Sequence, residues 1–316
     1  MLLLSYLSYF IAPDRFALIP FVSLSVPLLI LVNIFFAIYW LVKLQKKCLL
    51  SVVVLLIGYP YLSKLYAVHE KKVLLTDDLT VMSYNIRMFN HYQWIKTDNI
   101  DLKILDFIEE KKPDILCLQE YFNAEDRPIN YPYQYVKTKS NTNHFGHAIF
   151  SKYKIIHSGS LDYSVGGNNA IFADIVTDKD TIRVYNIHLE SLKIDPSKEM
   201  LGQQDRENLK IRVQRSFAKQ ADQVRQVLEH QERTNHRTIV CGDFNNTAFS
   251  WVYNRLSKGR KDAFEVAGQG FGKTYDFIFP IRMDFILADE EIEVNNYKTY
   301  SVKYSDHYPI MARLGL

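Results

Sequence analysis

The chain has 316 residues, of which 48% are hydrophobic and 23% charged, close to an average globular composition; that excludes a disordered chain, a collagen-like repeat and a disulfide-dense mini-protein. Charge is uneven. Residues 1–72 hold seven Lys/Arg and two Asp/Glu, which leaves 31 and 33 of the totals of 38 and 35 for residues 73–316, so a strongly basic nucleic-acid-binding body is not supported.

Residues 1–13 carry no charge but are short for a membrane span. Residues 16–42 form an uncharged run of 27 residues, longer than the ~20 a bilayer needs. Pro20 and Pro27 predict a kink there. A second apolar stretch covers 48–68, with Lys64 near its end, where its side chain can snorkel. Residues 1–72 therefore read as a membrane anchor of two or three transmembrane helices. A cleaved signal peptide fits poorly, because no basic segment precedes the apolar run. Lys43, Lys46 and Lys47 lie between the two long stretches. The positive-inside bias places that connection in the cytoplasm and residues 73–316 outside it; Lys64, Lys71 and Lys72 run against the rule.

Residues 73–316 read as one α/β domain. The best strands are Leu79–Tyr84, Ile115–Leu118, Ala148–Phe150, Ile171–Val176, Ile182–Ile187, Thr238–Cys241, Met283–Leu287 and Pro309–Ala312. Apolar spacing predicts helices over Asp98–Lys111, stopped by Pro113, and over Arg206–Glu232. Cys117 and Cys241 fall in apolar strands and read as small buried hydrophobes rather than a disulfide or a zinc site.

Chemistry-bearing residues gather at strand ends: Asn85, Gln119-Glu120, His188, Gly242-Asp243-Phe244-Asn245, Asp284 and Ser305-Asp306-His307. An apolar strand body with a polar tip is how a rigid sheet presents a site. Each motif alone also has a structural reading: turn residues for GDFN and SDH, a hydrogen-bonded core histidine for His188. Asp284 between apolar neighbours resists one, since a buried lone carboxylate is costly.

In this order the motifs resemble the endonuclease/exonuclease/phosphatase superfamily, the deoxyribonuclease-like group, in a membrane-anchored bacterial form. Gly146-His147-Ala148-Ile149-Phe150-Ser151-Lys152 is similar to another of its segments. The resemblance covers about residues 79–314. It implies a four-layer sandwich of two packed mixed β-sheets flanked by helices, preceded here by transmembrane helices.

The resemblance further implies hydrolysis of a phosphodiester by in-line attack of water with a divalent metal, Mg²⁺ or alternatively Mn²⁺. Glu120, Asn85 and Asp306 are then the metal residues. Asp243 is the base that orients and deprotonates water, and Asn245 steadies it or the phosphate. His307 donates to a phosphate oxygen, Asp284 favours its protonated form, and His188 contacts the phosphate. The expected partners are a phosphoester substrate, either nucleic acid or a phospholipid head group, and the bilayer; no protein partner is predicted. The expected location is the bacterial inner membrane, multi-pass, with the catalytic domain extracytoplasmic. Arg206, Lys210, Arg212 and Arg215 form a basic run that a solvated helix face explains better than a phosphate contact. A catalytically inactive membrane-tethered binding module is the alternative from another class; it predicts loss of Glu120, Asp243 or His307, all of which are present.

Overall fold

A computed structural model of the chain describes residues 1–16, 19–68, 71, 73–123, 128–140, 143–163, 168–192 and 203–316. Its helices are α1 (Leu2–Tyr6), α2 (Ile19–Val42), α3 (Cys48–Ile57), α4 (Tyr59–Leu65), α5 (Ile100–Lys111), α6 (Gln203–Gln231), α7 (Trp251–Ser257) and α8 (Ala263–Ala267). The strands are β1 (Leu79–Asn85), β2 (Ile115–Phe122), β3 (Tyr133–Ser140), β4 (Asn143–Ser151), β5 (Lys154–Ser160) and β6 (Asn169–Val176). They continue as β7 (Thr181–His188), β8 (Arg237–Asp243), β9 (Arg260–Asp262), β10 (Asp284–Asp289), β11 (Glu293–Thr299) and β12 (Ile310–Gly315).

These strands form two six-stranded sheets. Sheet one runs β11-β12-β1-β2-β4-β3 and sheet two runs β5-β6-β7-β8-β10-β9. Both are mixed, with β1/β2 parallel in one and β7/β8 parallel in the other. Side chains alternate across a strand, so each strand feeds two cores. Val81, Cys117, Val184, Ile239, Cys241 and Ile286 fill the space between the sheets. Met82, Tyr84, Leu116 and Leu118 face the opposite way, onto Ile104, Phe107 and Ile108 of α5. Tyr185, Ile187, Val240 and Phe285 pack outward against α6 and α7. The result is the four-layer sandwich expected. Cys117 and Cys241 are free, buried thiols in the inter-sheet core.

One polar link crosses that core. Asn186 of β7 donates from Nδ2 to the carbonyls of Leu118 (2.8 Å) and Ala148 (3.0 Å) in sheet one. Its Oδ1 accepts from Gln119 Nε2 at 2.7 Å, and Gln119 also donates to Ser83 Oγ at 3.1 Å. All three side chains are fully buried.

The N-terminal quarter departs from the sequence reading in one respect. Among the described residues only α2 is by itself long and apolar enough to cross a membrane. Residues 48–68 are not one straight helix: α3 and α4 meet at a 75° bend, and only the bent pair together passes the same test. The break has a local cause. Gly58 leaves helical geometry at φ −86°, ψ 11°, and Pro60 sits in the first turn of α4, where its missing N–H is harmless but where it cannot continue α3. α1 is a five-residue helix too short to span. Against the two or three spans expected, length and composition alone pass one helix among the described residues, or two if the bent pair is counted as one. The expected boundary between residues 72 and 73 adjoins residues 69, 70 and 72, which lie outside the described residues.

The same segment docks on the α/β domain at several points. Asp14 pairs with Arg225 (2.8 Å), and the Tyr9 carbonyl accepts from Asn254 (2.9 Å). Phe249 packs with Leu2, Tyr6, Tyr61 and Leu65, and Phe21 meets Phe217 ring to ring at 5.9 Å. Lys64 does not snorkel into solvent as expected; it pairs with Glu265 at 3.0 Å. From there a buried chain continues: the Tyr253 hydroxyl bridges Glu265 and Asp262 (2.7 Å to Asp262), and Asp262 holds Arg282 at 2.6 Å.

The inter-sheet link generates a prediction. In Asn186→Leu two buried carbonyls lose a donor and the Gln119 amide loses one of its acceptors. Unfolding of the detergent-solubilised protein by denaturant should show a loss of about 2–4 kcal/mol. Adding Gln119→Leu should recover less than half, because the two carbonyls still lack that donor. A loss below about 1 kcal/mol would mean that the link does not hold the sheets together.

Candidate active site

Register brings the strand-tip residues together. In sheet two, His188 of β7 lies opposite Asp243 of β8, and Asp243 lies opposite Asp284 of β10. One rung therefore carries three of them, all on the inter-sheet face, because Ile239, Cys241, Ile286 and Val184 on the same parity fill that space. In sheet one Asn85 ends β1 on the inter-sheet parity, opposite Gln119. Alternation would send Glu120 the other way, with Leu116 and Leu118. The pairing of β2 with β4 shifts between Leu118 and Tyr121, and Glu120 takes a left-handed φ of 49°. Such a bulge re-aims a side chain, and here it turns the carboxylate toward sheet two.

Gly242 makes the rung possible. Its φ is +133°, and a Cβ there would stand 1.9 Å from the Ile187 carbonyl, so neither the conformation nor the approach of β7 to β8 admits a side chain.

Asp243 is the centre, 1% exposed. Its Oδ2 accepts from Asn85 Nδ2 at 3.1 Å and lies 3.6 Å from the Nε2 atoms of both His188 and His307. Its Oδ1 accepts from the backbone N–H of Asn245 at 2.8 Å. His307 Nδ1 is 2.9 Å from Asp284 Oδ2. Glu120 Oε1 lies 3.3 Å from Asn85 Nδ2 and 3.9 Å from His188 Nε2. Seven of the eight residues singled out in the sequence thus form one connected set. The eighth, Asp306, opens on the same cleft but pairs with Arg87 at 3.2 Å. Residues 87–90 hold left-handed φ values between 43° and 59°, which seats Arg87 between Asp306 and the Trp94 ring at 4.5 Å.

Two placements differ in detail from the expectation. Asn85 turns its amide nitrogen, not its oxygen, to the two carboxylates, and its oxygen accepts from Arg87 N–H at 3.1 Å. Asn245 steadies Asp243 through its backbone, while its side chain donates to the Leu189 carbonyl at 2.8 Å.

Burial sets the protonation states. It raises the Asp243 carboxyl above the usual carboxylate range, against the pull of His307 and His188. It raises Glu120 likewise. It lowers His188, whose neutral ring is favoured. Burial would also lower His307, but the carboxylates of Asp284 and Asp243 outweigh it and hold this ring well above the ordinary histidine value. One buried histidine is thus neutral and the other cationic, 3.6 Å to either side of one carboxylate oxygen.

Asp243, Asp284 and His307 also place potential metal-binding atoms within 4.8 Å of one another. The set opens into a cleft of about 750 Å³, whose lining includes Glu120, His147, Tyr275, Asp306 and, from the N-terminal helix α2, Leu24. Sequence reasoning missed several supports. Thr274 Oγ1 accepts from the N–H groups of Met283 (3.0 Å) and Asp284 (3.1 Å) and so fixes the start of β10. The Tyr275 ring lies 5.0 Å from His307. Ser305 donates to the Asn85 carbonyl at 2.8 Å, joining the last motif to the first. A lone threonine or tyrosine in a loop carries no sequence signal; Ser305 was visible in the SDH triplet. Of the basic run, Arg212 and Arg215 line a separate depression with Glu190 and Lys219. The side chain of Arg206 lies outside the described residues.

Comparison with known proteins agrees with this architecture. No curated protein matches the chain. A domain of unknown function matches residues 1–65. The solved structures that resemble the chain include TDP2 of D. rerio carrying 14 humanizing mutations. It is 18% identical with a TM-score of 0.57, over 76% of this chain and 99% of that one. An endonuclease/exonuclease/phosphatase from Bacteroides vulgatus is also 18% identical, with a TM-score of 0.57, over 76% of this chain and 100% of its own. The catalytic domain of human Nocturnin with bound sulfate is 17% identical with a TM-score of 0.55, over 78% of this chain and 97% of its own. The sequence matches the Endonuclease/Exonuclease/phosphatase family over residues 82–307. That match takes in every strand-tip motif of the site, and the chain belongs to this family of divalent-metal-dependent phosphoester hydrolases.

Proposed function

We propose that the protein is a membrane-anchored, Mg²⁺-dependent phosphodiesterase that cleaves its substrate by in-line attack of water. The observation that carries this reading is the buried row Asp284–His307–Asp243, which faces Glu120 across one cleft. An acceptor for a proton and a donor of one thus stand 3.6 Å apart, and both line the cleft a phosphate would enter.

The donor set fits a hard cation. Glu120 and Asp306 offer carboxylate oxygens, and Asn85 offers an amide oxygen after a half-turn of its amide, ligands that suit Mg²⁺ or Mn²⁺. Burial raises the Glu120 carboxyl, the state of a carboxylate that a nearby cation would stabilise. Asp243, Asp284 and His307 are a less apt cage, because His307 Nδ1 is already committed to Asp284. When bound, the cation would offset the negative charge that gathers on the phosphate oxygens.

The chain's own residues do the rest. Asp243, steadied by the Asn245 N–H, takes a proton from the attacking water as its oxygen bonds to phosphorus. His307, kept protonated by Asp284, donates to a phosphate oxygen. The bond from phosphorus to the leaving oxygen breaks on the opposite side. Neutral His188 presents Nε2 to the same space and orients the phosphate. A structure of D. rerio TDP2 holds a single-strand DNA product, and another similar structure is a mannosyl-6-phosphatase of Bacteroides thetaiotaomicron. Both support a phosphoester as the substrate of this chain.

The anchor reading rests on exposure. Only 17% of the apolar window of α2 is buried, so α2 is not the core helix of a soluble protein, and large apolar side chains from Leu28 to Val42 face outward. We place residues 1–72 as anchor and 73–316 as catalytic domain, in a multi-pass arrangement in a bacterial inner membrane. Asp14 and Lys64 both pair with the catalytic domain, so both outer ends of the apolar segments adjoin it. The Lys43–Lys47 connection then marks the cytoplasmic end.

Three outcomes are expected. EDTA should abolish hydrolysis of bis-nitrophenyl phosphate, and Mg²⁺ or Mn²⁺ should restore it; full activity in demetallated protein would sink the metal assignment. Asp243→Asn and His307→Ala should each lower kcat by about 1,000-fold or more with circular dichroism unchanged. A loss of about tenfold or less would remove that residue from its role. Protease added to intact spheroplasts should cut the catalytic domain; cutting only after lysis would reverse the topology.

A further inference from the structure

The cleft has an unusual wall. Leu24 of α2 lines it together with Met88, Phe145, Phe277, Ile281 and Met283. These apolar side chains share the cleft with Asp243 and His307, within the space a phosphate's substituent would enter. Among the described residues that line the cleft, Lys139 is the one lysine or arginine, whereas a groove for a nucleic-acid backbone needs a track of cations.

The position of Leu24 along α2 adds a second observation. From Leu24 to Val42 the helix continues for 18 residues, about 27 Å at the α-helical rise, close to the ~30 Å hydrocarbon thickness of a bilayer. The part of α2 beyond Leu24 therefore matches the membrane interior, and Leu24 itself falls at its surface. A third observation lies beside it. In the loop that supplies Phe277 and Ile281, Ile278 is 89% exposed and Phe279 52% exposed. Adjacent bare aliphatic and aromatic side chains suit an interface with lipid rather than water.

We infer that the anchor helix is part of the substrate site: Leu24 and the Phe277–Ile281 loop form a subsite for the apolar tail of a phosphoester borne by the bilayer. The substrate class is a lipid phosphodiester, taken with its head group toward Asp243 and its tail along α2. This rests on the phosphoesterase reading above and adds the identity of the substituent.

The test uses the full chain in detergent micelles with Mg²⁺ and two esters that share a leaving group, ethyl and hexadecyl p-nitrophenyl phosphate. Water adds to phosphorus and p-nitrophenolate leaves in both, so only the tail differs. The kcat/KM ratio of hexadecyl to ethyl ester should be on the order of 100, which corresponds to about three or four methylenes of the tail buried in the subsite at about fourfold each. Leu24→Asn should cut that ratio at least about tenfold, as should Ile281→Asn in the same lining. The ratio is internal to each variant, so a general loss of activity does not mimic the effect, and either variant suffices if the other misfolds. Ethyl ester turnover with a ratio near one would overturn the tail subsite while leaving the phosphoesterase standing. A high ratio that neither substitution alters would trace it to co-concentration in the micelle and also overturn the subsite. Faster cleavage of an oligonucleotide than of the hexadecyl ester would overturn the substrate class. Turnover of no phosphodiester at all would overturn the reading beneath it.

Discussion

Everything at the site depends on holding two separate sheets in one register. Asn85 and Glu120 come from sheet one; His188, Asp243 and Asp284 come from sheet two. An apolar inter-sheet core resists separation but not sliding, because apolar contact is non-directional. The hydrogen bonds from Asn186 to the Leu118 and Ala148 carbonyls and to Gln119 supply the missing direction. They lie one alternation step below His188 on β7 and one residue before Glu120 on β2. A slip of either sheet would break buried polar bonds at the depth where the reactive groups begin.

The polar layer also explains how so much charge is tolerated. Asp243, Asp284, His188 and His307 are all nearly inaccessible, and isolated buried ions are strongly disfavoured. The solution is opposition: one cationic ring between two carboxylates, with a neutral ring completing the set. Backbone N–H groups from Asn245 to Asp243, and the hydroxyl of Thr274 at the start of β10, take up the remaining polarity. Asp284 keeps one oxygen, Oδ1, without a hydrogen-bond partner among the described residues.

Much of this was legible in the sequence, and the gaps have physical causes. All eight strands read from β-branched and apolar runs are present. The four that were missed, β3, β5, β9 and β11, are the four edge strands of the two sheets. An edge strand has one neighbour and an exposed side, so its sequence stays polar: Tyr133–Ser140 and Glu293–Thr299 carry lysine, glutamate and asparagine where a central strand carries valine or isoleucine. The residues of the candidate site were legible because they interrupt central strands at their tips. The re-aiming of Glu120 was not, since simple alternation predicts the wrong face. Lys64 looked like an exception to the charge rule, and its partner Glu265 lies 201 residues away in the chain. Leu24 could not be assigned to a cleft at all, because nothing local distinguishes it from the other leucines of α2.

The chain of contacts from Lys64 through Glu265, Tyr253 and Asp262 to Arg282 has a mechanical meaning. Arg282 stands two residues before Asp284, so the docking of the N-terminal segment and the first residue of β10 share one buried strut. A catalytic head on a slack tether would sweep a hemisphere and sample any phosphoester within its radius. A head bolted down at Asp14, Lys64 and Ala67 cannot swing; its mouth stays at one altitude and one azimuth relative to α2. With residues 1–72 in a bilayer, as proposed, reach would become a selector in its own right, admitting molecules that drift past in the plane and ignoring those that float above it.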